Sequence, residues 1–277
     1  HFLPGNGDSE GNPDHLGKFI NKLICLPDSP IAKDMVKAAI SDKHKPYGLH
    51  RLGIAMHVYA DTWAHQQFAG VLHKVNNVDN AKESGKTNIF IDLPSFLEDV
   101  LDEAIPPLGH GRANVLPDMP FLTWQYTNGR GEKIVRNNTT DFCKAADMMC
   151  IAMKRYIAGN SEVEVDGIDA VNKDVIKRLF SSFKEKNGDK RHKLWLKEIR
   201  QGTFKVDGTP FTEELIYNDK GRNSWKAKAL GTALELDEYE YNDAFLTSNW
   251  RMFHDALQQH RMSMLHDILP NYGICVA

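Results

Sequence analysis

Three histidines and one aspartate share one side of a helix that the sequence predicts over residues 48–70. His50, His57, Asp61 and His65 are spaced seven, four and four residues apart. Because an α-helix turns by about 100° per residue, the four side chains fall within an arc of roughly 80°. Neutral imidazole and ionised carboxylate are preferred ligands of zinc and related divalent ions. The spacing therefore predicts a metal site on this helix.

Apolar residues around this stripe indicate which way it points. Ile54 and Val58 lie on the same side of the helix, and Trp63 and Phe68 lie beside it. We therefore expect the stripe to face the interior, where ionisable groups need partners that a cation would supply. The alternative is a set of separate core histidines, each with its own hydrogen bond, and with Asp61 paired to one of them.

A Gly- and Pro-rich loop over residues 108–120 is the second candidate for chemistry. His110 stands between two glycines, which allow the backbone to approach a neighbour closely. Asp118 stands between Pro117 and Pro120, which stiffen the turn. We expect His110 and Asp118 to converge on the site of the helical stripe. The alternative is an ordinary loop with a capping aspartate.

Composition limits the class of protein. The chain has 277 residues, 42% hydrophobic and 26% charged residues, and a net charge of -3. These values are typical of a globular domain and give no reason to expect general nucleic-acid binding. No apolar run approaches the ~20 residues of a transmembrane helix. The chain begins with His1 rather than Met, so we expect processing or an upstream segment that carries more of the site.

The elements that position these residues are predicted to be helical. Capping residues, apolar periodicity and prolines predict an all-α multi-helix bundle around the central histidine helix, with at most a short extended segment at 88–92. The domain prediction is a single domain over 1–277, with 1–160 and 241–277 as the core and 160–240 as a polar peripheral elaboration. The predicted helices cover 14–26, 30–40, 48–70, 94–104, 139–158, 166–186, 189–200 and 241–268.

This pattern resembles the zinc-dependent phospholipase C and P1-type nuclease superfamily, in which a helix bundle holds three zinc ions that hydrolyse phosphoesters. His57 and Asp61 match the helical His-x-x-x-Asp pair of that superfamily, and His65 lies near its next histidine, at a shorter spacing. The resemblance also implies that His1 ligates zinc, at a position where the superfamily typically has Trp. His110 and Asp118 are the nearest substitutes for its downstream ligand pair.

Several strings also resemble those of a bacterial family without an assigned activity, which extends upstream of residue 1. They lie within residues 1–125, and the likeness extends to the C-terminal helix. They are His1-Phe-Leu-Pro-Gly, His50-Arg-Leu-Gly-Ile-Ala-Met-His, Tyr59-Ala-Asp-Thr-Trp-Ala-His, Gly109-His-Gly-Arg-Ala and Pro117-Asp-Met-Pro.

The predicted function is a metal-dependent hydrolase of phosphoesters, with one to three divalent ions, zinc being favoured. Asp118 is a ligand or the general base, and Arg112 is placed to reach an anionic substrate oxygen. The ligand candidates are His57, Asp61, His65 and His110, followed by His50 and His1.

Three alternatives stay open. The first is a non-catalytic helical module in which a structural metal holds helices together. The second is a nuclease of the same superfamily. The third is a phosphohydrolase of the His-Asp type. For either a lipase or a nuclease, a loop with Phe121, Trp124 and Tyr126 could flank the substrate.

Overall fold

A computed structural model describes residues 2–7, 19–83 and 108–275. Three helices come first in the described residues, the three strands of the main sheet follow, and the other helices come after these strands. The helices are α1 Ile20–Leu23, α2 Pro30–Ser41, α3 Gly48–Ala64, α4 Asn138–Ala158, α5 Ala170–Ser182, α6 Gly188–Arg200, α7 Trp225–Leu230 and α8 Asn249–Met262. The strands are β1 Val78–Glu83, β2 Thr123–Asn128, β3 Lys133–Asn137, β4 Lys205–Val206 and β5 Thr209–Pro210. Short 3-10 turns cover Lys74–Asn76, Gly111–Ala113, Leu116–Asp118, Asp243–Thr247 and Leu269–Tyr272, and a π-helical turn, Ser263–Ile268, continues α8.

The prediction of an all-α protein is wrong, because β1, β2 and β3 form an antiparallel sheet and β4 pairs with β5. Along β2, Trp124, Tyr126 and Asn128 are buried and alternate with half-exposed residues, as expected for a strand with one face on the core. The Asn128 side chain accepts hydrogen bonds from the backbone of Arg130 and Glu132, which closes the turn into β3. The protein is therefore mixed α/β.

Capping residues, prolines and glycines in the sequence correctly predicted where several helices begin or end. Ser29 caps α2 through its side chain, followed by Pro30 in the first turn, as predicted. Helix α4 ends at Gly159, whose φ of 69° lies in the left-handed region that favours glycine. Its cap is Asn137 rather than the predicted Thr139 or Thr140. The segments predicted at 88–92 and 94–104 lie outside the described residues. The helix predicted over 14–26 is described from residue 19 onward, and there it is helical only over Ile20–Leu23, because Ile24 and Cys25 form isolated β-bridges instead.

The main core lies between α2, α3, α4 and the segment that follows α8. Helix α3 contributes Leu52, Met56, Tyr59 and Trp63, which face away from the histidine stripe. The expectation that the stripe points inward is therefore wrong for most of its length. The apolar set on the opposite side is larger and takes the interior position.

A second core lies under the three-stranded sheet. Phe68, from the turn after α3, stacks on Tyr126 with ring centroids 5.8 Å apart, and Tyr126 stacks on Trp124 at 4.9 Å. Leu116 and Val78 complete the centre of this cluster. The turns that carry His65, His110 and Asp118 run beside it.

Residues 160–240 contain α5, α6, α7 and the β4–β5 hairpin, joined by long polar segments. Phe180, Trp195 and Phe204 form an aromatic cluster between α5 and α6, and Phe180 contacts Phe142 of α4. The division into a core and an elaboration stays a prediction. Within the described ranges, no helix has the length and apolarity needed to cross a bilayer.

His260 near the end of α8 makes the stability depend on pH. Burial, and then the positive charge of Arg51, lower the pKa of His260 to about 4. Arg51 is itself buried and ion-paired with Asp42. An unfolded histidine has a pKa of about 6.5, so the unfolded chain binds more protons between pH 6.5 and 4. Stability is therefore lost as the pH falls through that window.

We expect His260→Gln to reduce this loss by about 2 kcal/mol, because the variant has no proton to bind at this position. Urea unfolding at several pH values between 7 and 4 measures the effect. His44→Gln, at an exposed histidine, serves as the control and should keep the wild-type pH dependence. Equal pH dependence in the His260→Gln variant and the wild type would contradict the assignment.

Candidate metal centre

His65 becomes buried because the helix ends just before it. It is the C-terminal cap of α3, and its backbone N–H donates to the carbonyl of Asp61 over 2.8 Å. The following turn is pinned to Cys25, whose N–H donates to Phe68 and whose carbonyl accepts from Gln67. This turn directs the His65 side chain inward, while the preceding histidines of the stripe stay on the outer side.

His110 is held in one tautomer by its own turn. Its Nδ1 lies 2.7 Å from the carbonyl oxygen of Asn114. Because a carbonyl can only accept, Nδ1 carries the proton and Nε2 keeps a lone pair for a ligand. Burial, and next the neighbouring His65, lower the pKa of His110, although Asp118 opposes the shift. The neutral form, which binds metals, is thereby favoured.

The two imidazoles and Asp118 form a compact cluster. The rings of His65 and His110 are stacked with centroids 4.6 Å apart and planes within 3° of each other. His110 Nε2 lies 4.0 Å from Asp118 Oδ2, and one ligand atom from each of the three residues lies within 4.8 Å of the others. Two zinc ligands at a tetrahedral angle stand about 3.4 Å apart. The donor set therefore fits a divalent ion after small adjustments.

Asp61 extends this cluster towards solvent. Its Oδ1 lies 3.7 Å from His65 Nε2 and its Oδ2 lies 3.5 Å from His57 Nε2. The Asp61 side chain is 16% exposed, whereas that of His57 is 64% exposed. Asp61 thus lies between a buried imidazole and a solvent-facing one. The predicted residues form a continuous row of contacts that starts at His57 on the surface, passes through Asp61, His65 and His110, and ends at Asp118.

His50 does not belong to this centre. Its Nε2 donates to Asn249 Oδ1 over 3.0 Å, and its ring meets the edge of Trp225. Fifteen residues of α-helical rise separate His50 from His65 by about 22 Å along the axis. The structure therefore does not bring His50 to the cluster, because residues on the same side of a helix can lie far apart along its axis, and its role as a ligand stays a prediction.

Two predicted residues, His1 and Arg112, remain, together with the contacts that surround the two clustered histidines. His1 lies outside the described residues. Phe2 packs against the rings of His65 and His110, with centroids 5.1 and 5.7 Å away. Gly109 has a φ of 55°, and a Cβ there would overlap the Phe2 ring. Arg112 is half-buried in the 3-10 turn that follows His110.

The expectation that Trp124 and Tyr126 flank a substrate is wrong, because both are fully buried on β2. The alternation of these aromatic residues with polar residues is a pattern that predicts a β-strand.

Arg136 is a supporting residue that sequence reasoning missed. Its side chain is 3% exposed and pairs with Asp141 through an Nε–Oδ2 distance of 3.0 Å. The guanidinium also donates to the carbonyl of Trp63 over 2.9 Å and contacts that of Ala64 at 3.4 Å. Arg136 therefore fixes the end of α3 from which His65 projects.

Asn138, two residues further on, holds the other side of the cluster. Its fully buried amide donates to the carbonyls of Leu116 and Met119 over 2.7 and 2.9 Å. Its oxygen accepts from Trp124 Nε1 at 3.0 Å. The turn that carries Asp118 is therefore tied to the start of α4. No local signal distinguished this asparagine from an ordinary cap.

The fold and the cluster define a mixed α/β protein with a candidate metal centre between a helix end and two turns. The profile of DUF6765, a family of unknown function, matches residues 1–268, and the chain belongs to that family. No curated protein and no solved structure matches the chain. The likeness to the phospholipase C and P1 nuclease superfamily stays a hypothesis.

Proposed function

We propose that the protein is a metal-dependent hydrolase of phosphoesters. The observation that carries the proposal is the cluster of His65, His110 and Asp118, in which the His110 tautomer leaves Nε2 available as a ligand. Three protein ligands are typical of catalytic zinc sites, which keep a fourth position open. Zinc is the favoured ion because the donors are imidazole and carboxylate.

Each residue has a role in this proposal. A bound divalent ion would supply Lewis-acid chemistry, activating water and neutralising charge on a phosphate. Asp118 acts as a ligand. Asp61, next to His65 and largely shielded, accepts the proton of the attacking water as general base. Arg112 donates to a phosphate oxygen.

The nuclease and lipase alternatives lose the same support, because two of the three residues proposed to flank either substrate, Trp124 and Tyr126, are buried. A small phosphoester is therefore the preferred substrate class. A purely structural ion is the second candidate. It is favoured by the Phe2 ring, which packs against both histidines and could limit access to the fourth position.

The test begins with elemental analysis of the purified protein, followed by assays on bis(p-nitrophenyl) phosphate and on phosphatidylcholine. Activity should disappear on chelation and return with added zinc. Asp61→Asn should lower kcat about 10²–10⁴-fold while the ion at His65 and His110 is retained. Asp174→Asn, an exposed change on α5, should match the wild type. Metal-loaded protein that hydrolyses neither substrate would favour the structural ion.

A further inference from the structure

A separate cavity of about 590 Å³ opens beside the first half of α3. Its walls include four aromatic residues, Tyr217, Trp225, Trp250 and Phe253. Small-molecule sites typically have volumes of about 300–1,000 Å³, with apolar and aromatic walls and a few polar groups. The cavity has the size and lining of such a site, and it uses none of the cluster ligands.

The aromatic rings line an open concave surface, and two of them are substantially exposed to solvent. Trp225 and Phe253 meet edge to face, with centroids 6.2 Å apart and planes at 62°. Trp225 is 40% exposed and Tyr217 is 73% exposed. Large aromatic faces left in water around a concave surface are available for stacking with a planar ligand.

Gly53 forms part of the cavity wall in the middle of α3. Glycine in a helix interior costs about 1 kcal/mol relative to alanine. An added Cβ at Gly53 would meet no atom of the described chain within 4 Å, so packing does not require glycine here. Its effect is to keep the cavity open.

The polar groups indicate the charge of the ligand. The ammonium group of Lys226 is already paired with Glu235 at 2.7 Å. Asp219 lies exposed at the mouth and makes no ion pair within the ranges that the structure describes. The first turns of α3 and α8 also border the cavity, and the partial positive charge at these helix starts offsets this carboxylate. The balance favours an uncharged ligand that carries hydrogen-bond acceptors.

We infer that this cavity is a second binding site, specific for an uncharged planar heteroaromatic group such as a nucleobase. The ring would stack on Trp225, and its acceptor edge would face the helix N–H groups. The inference is independent of the proposed hydrolase activity. About 18 Å of helical rise separates Gly53 from His65.

Adenosine is the probe, with ribose as the non-aromatic control. We expect one adenosine per chain by equilibrium dialysis, with saturable quenching of tryptophan fluorescence, and no binding of ribose. Gly53→Leu should abolish binding by filling the cavity, whereas its melting temperature should be at least that of the wild type and its metal content should be unchanged. Trp225→Ala should weaken binding about tenfold, as expected for the loss of one stacking partner.

Four results would overturn the inference. They are no adenosine binding at millimolar concentration, equal binding of ribose, tighter binding of the charged AMP than of adenosine, and unchanged binding in Gly53→Leu. If Gly53→Leu does not fold, Tyr217→Ala replaces it, because that exposed side chain is dispensable for packing. Unchanged binding in both Trp225→Ala and Tyr217→Ala would contradict the proposed stacking.

Discussion

His110→Ala is expected to lower the affinity of the protein for zinc by at least about 100-fold. The variant removes one of three clustered ligands, and even the loss of a residue that only orients a ligand typically costs 10–100-fold. Competition with a chromophoric chelator measures the affinity, and elemental analysis after dialysis measures the stoichiometry. The same result is expected for His65→Ala, because its buried ring lies on the other side of the cluster.

Two further histidine variants make this result interpretable. His44→Ala, at an exposed position outside the cluster, should keep the full affinity. His57→Ala should have a smaller effect than His110→Ala, because His57 is largely exposed and reaches the cluster only through Asp61. Full zinc stoichiometry and affinity in His110→Ala would exclude the cluster as the metal centre.

Arg136→Leu is expected to lower the free energy of unfolding by about 3–5 kcal/mol. Removing one partner of a buried ion pair leaves the other charge uncompensated. Here the Asp141 carboxylate would lose its cation, and the carbonyls of Trp63 and Ala64 would lose their donor. Urea unfolding at neutral pH measures the change.

The matched control is Arg222→Leu, an exposed arginine for which a change within about 0.5 kcal/mol is expected. Arg136→Lys should fall between the wild type and Arg136→Leu, since lysine keeps the charge but cannot reproduce the planar fork of donors. If Arg136→Leu unfolds at the same urea concentration as Arg222→Leu, the guanidinium does not hold the end of α3.

The parts of the fold that sequence predicted correctly depend on interactions within a few residues. Ser29 and Pro30 start α2, and Gly159 ends α4, through backbone preferences that act locally. The strands depend on partners far along the chain. β1 pairs with β2 across about forty to fifty residues, from Glu83 opposite Trp124 to Val78 opposite Asn128, and no local pattern contains that information. The alternating aromatics of β2 and the adjacent turn were nevertheless a usable hairpin signal.

The candidate site was predictable in part for a similar reason. Helical spacing placed Asp61 next to both His57 and His65, and the glycines and prolines marked the loop of His110 and Asp118. Spacing alone could not show that the stripe faces outward or that only its C-terminal end turns inward. Arg136 was not predictable as a support, because its partners on α3 lie more than seventy residues earlier.

The short junction between β3 and α4 has a consequence for the motions of the protein. Arg136 holds the end of α3, from which His65 projects, and Asn138 holds the turn of residues 116–119, so a local opening of this junction would weaken the support of both parts of the cluster together. Amide hydrogen exchange reports such openings as segments that share one opening free energy. The amides of 65–69 and 116–119 would then exchange as a single cooperative unit. The centre would be present complete or absent, without a long-lived state that holds half of its ligands.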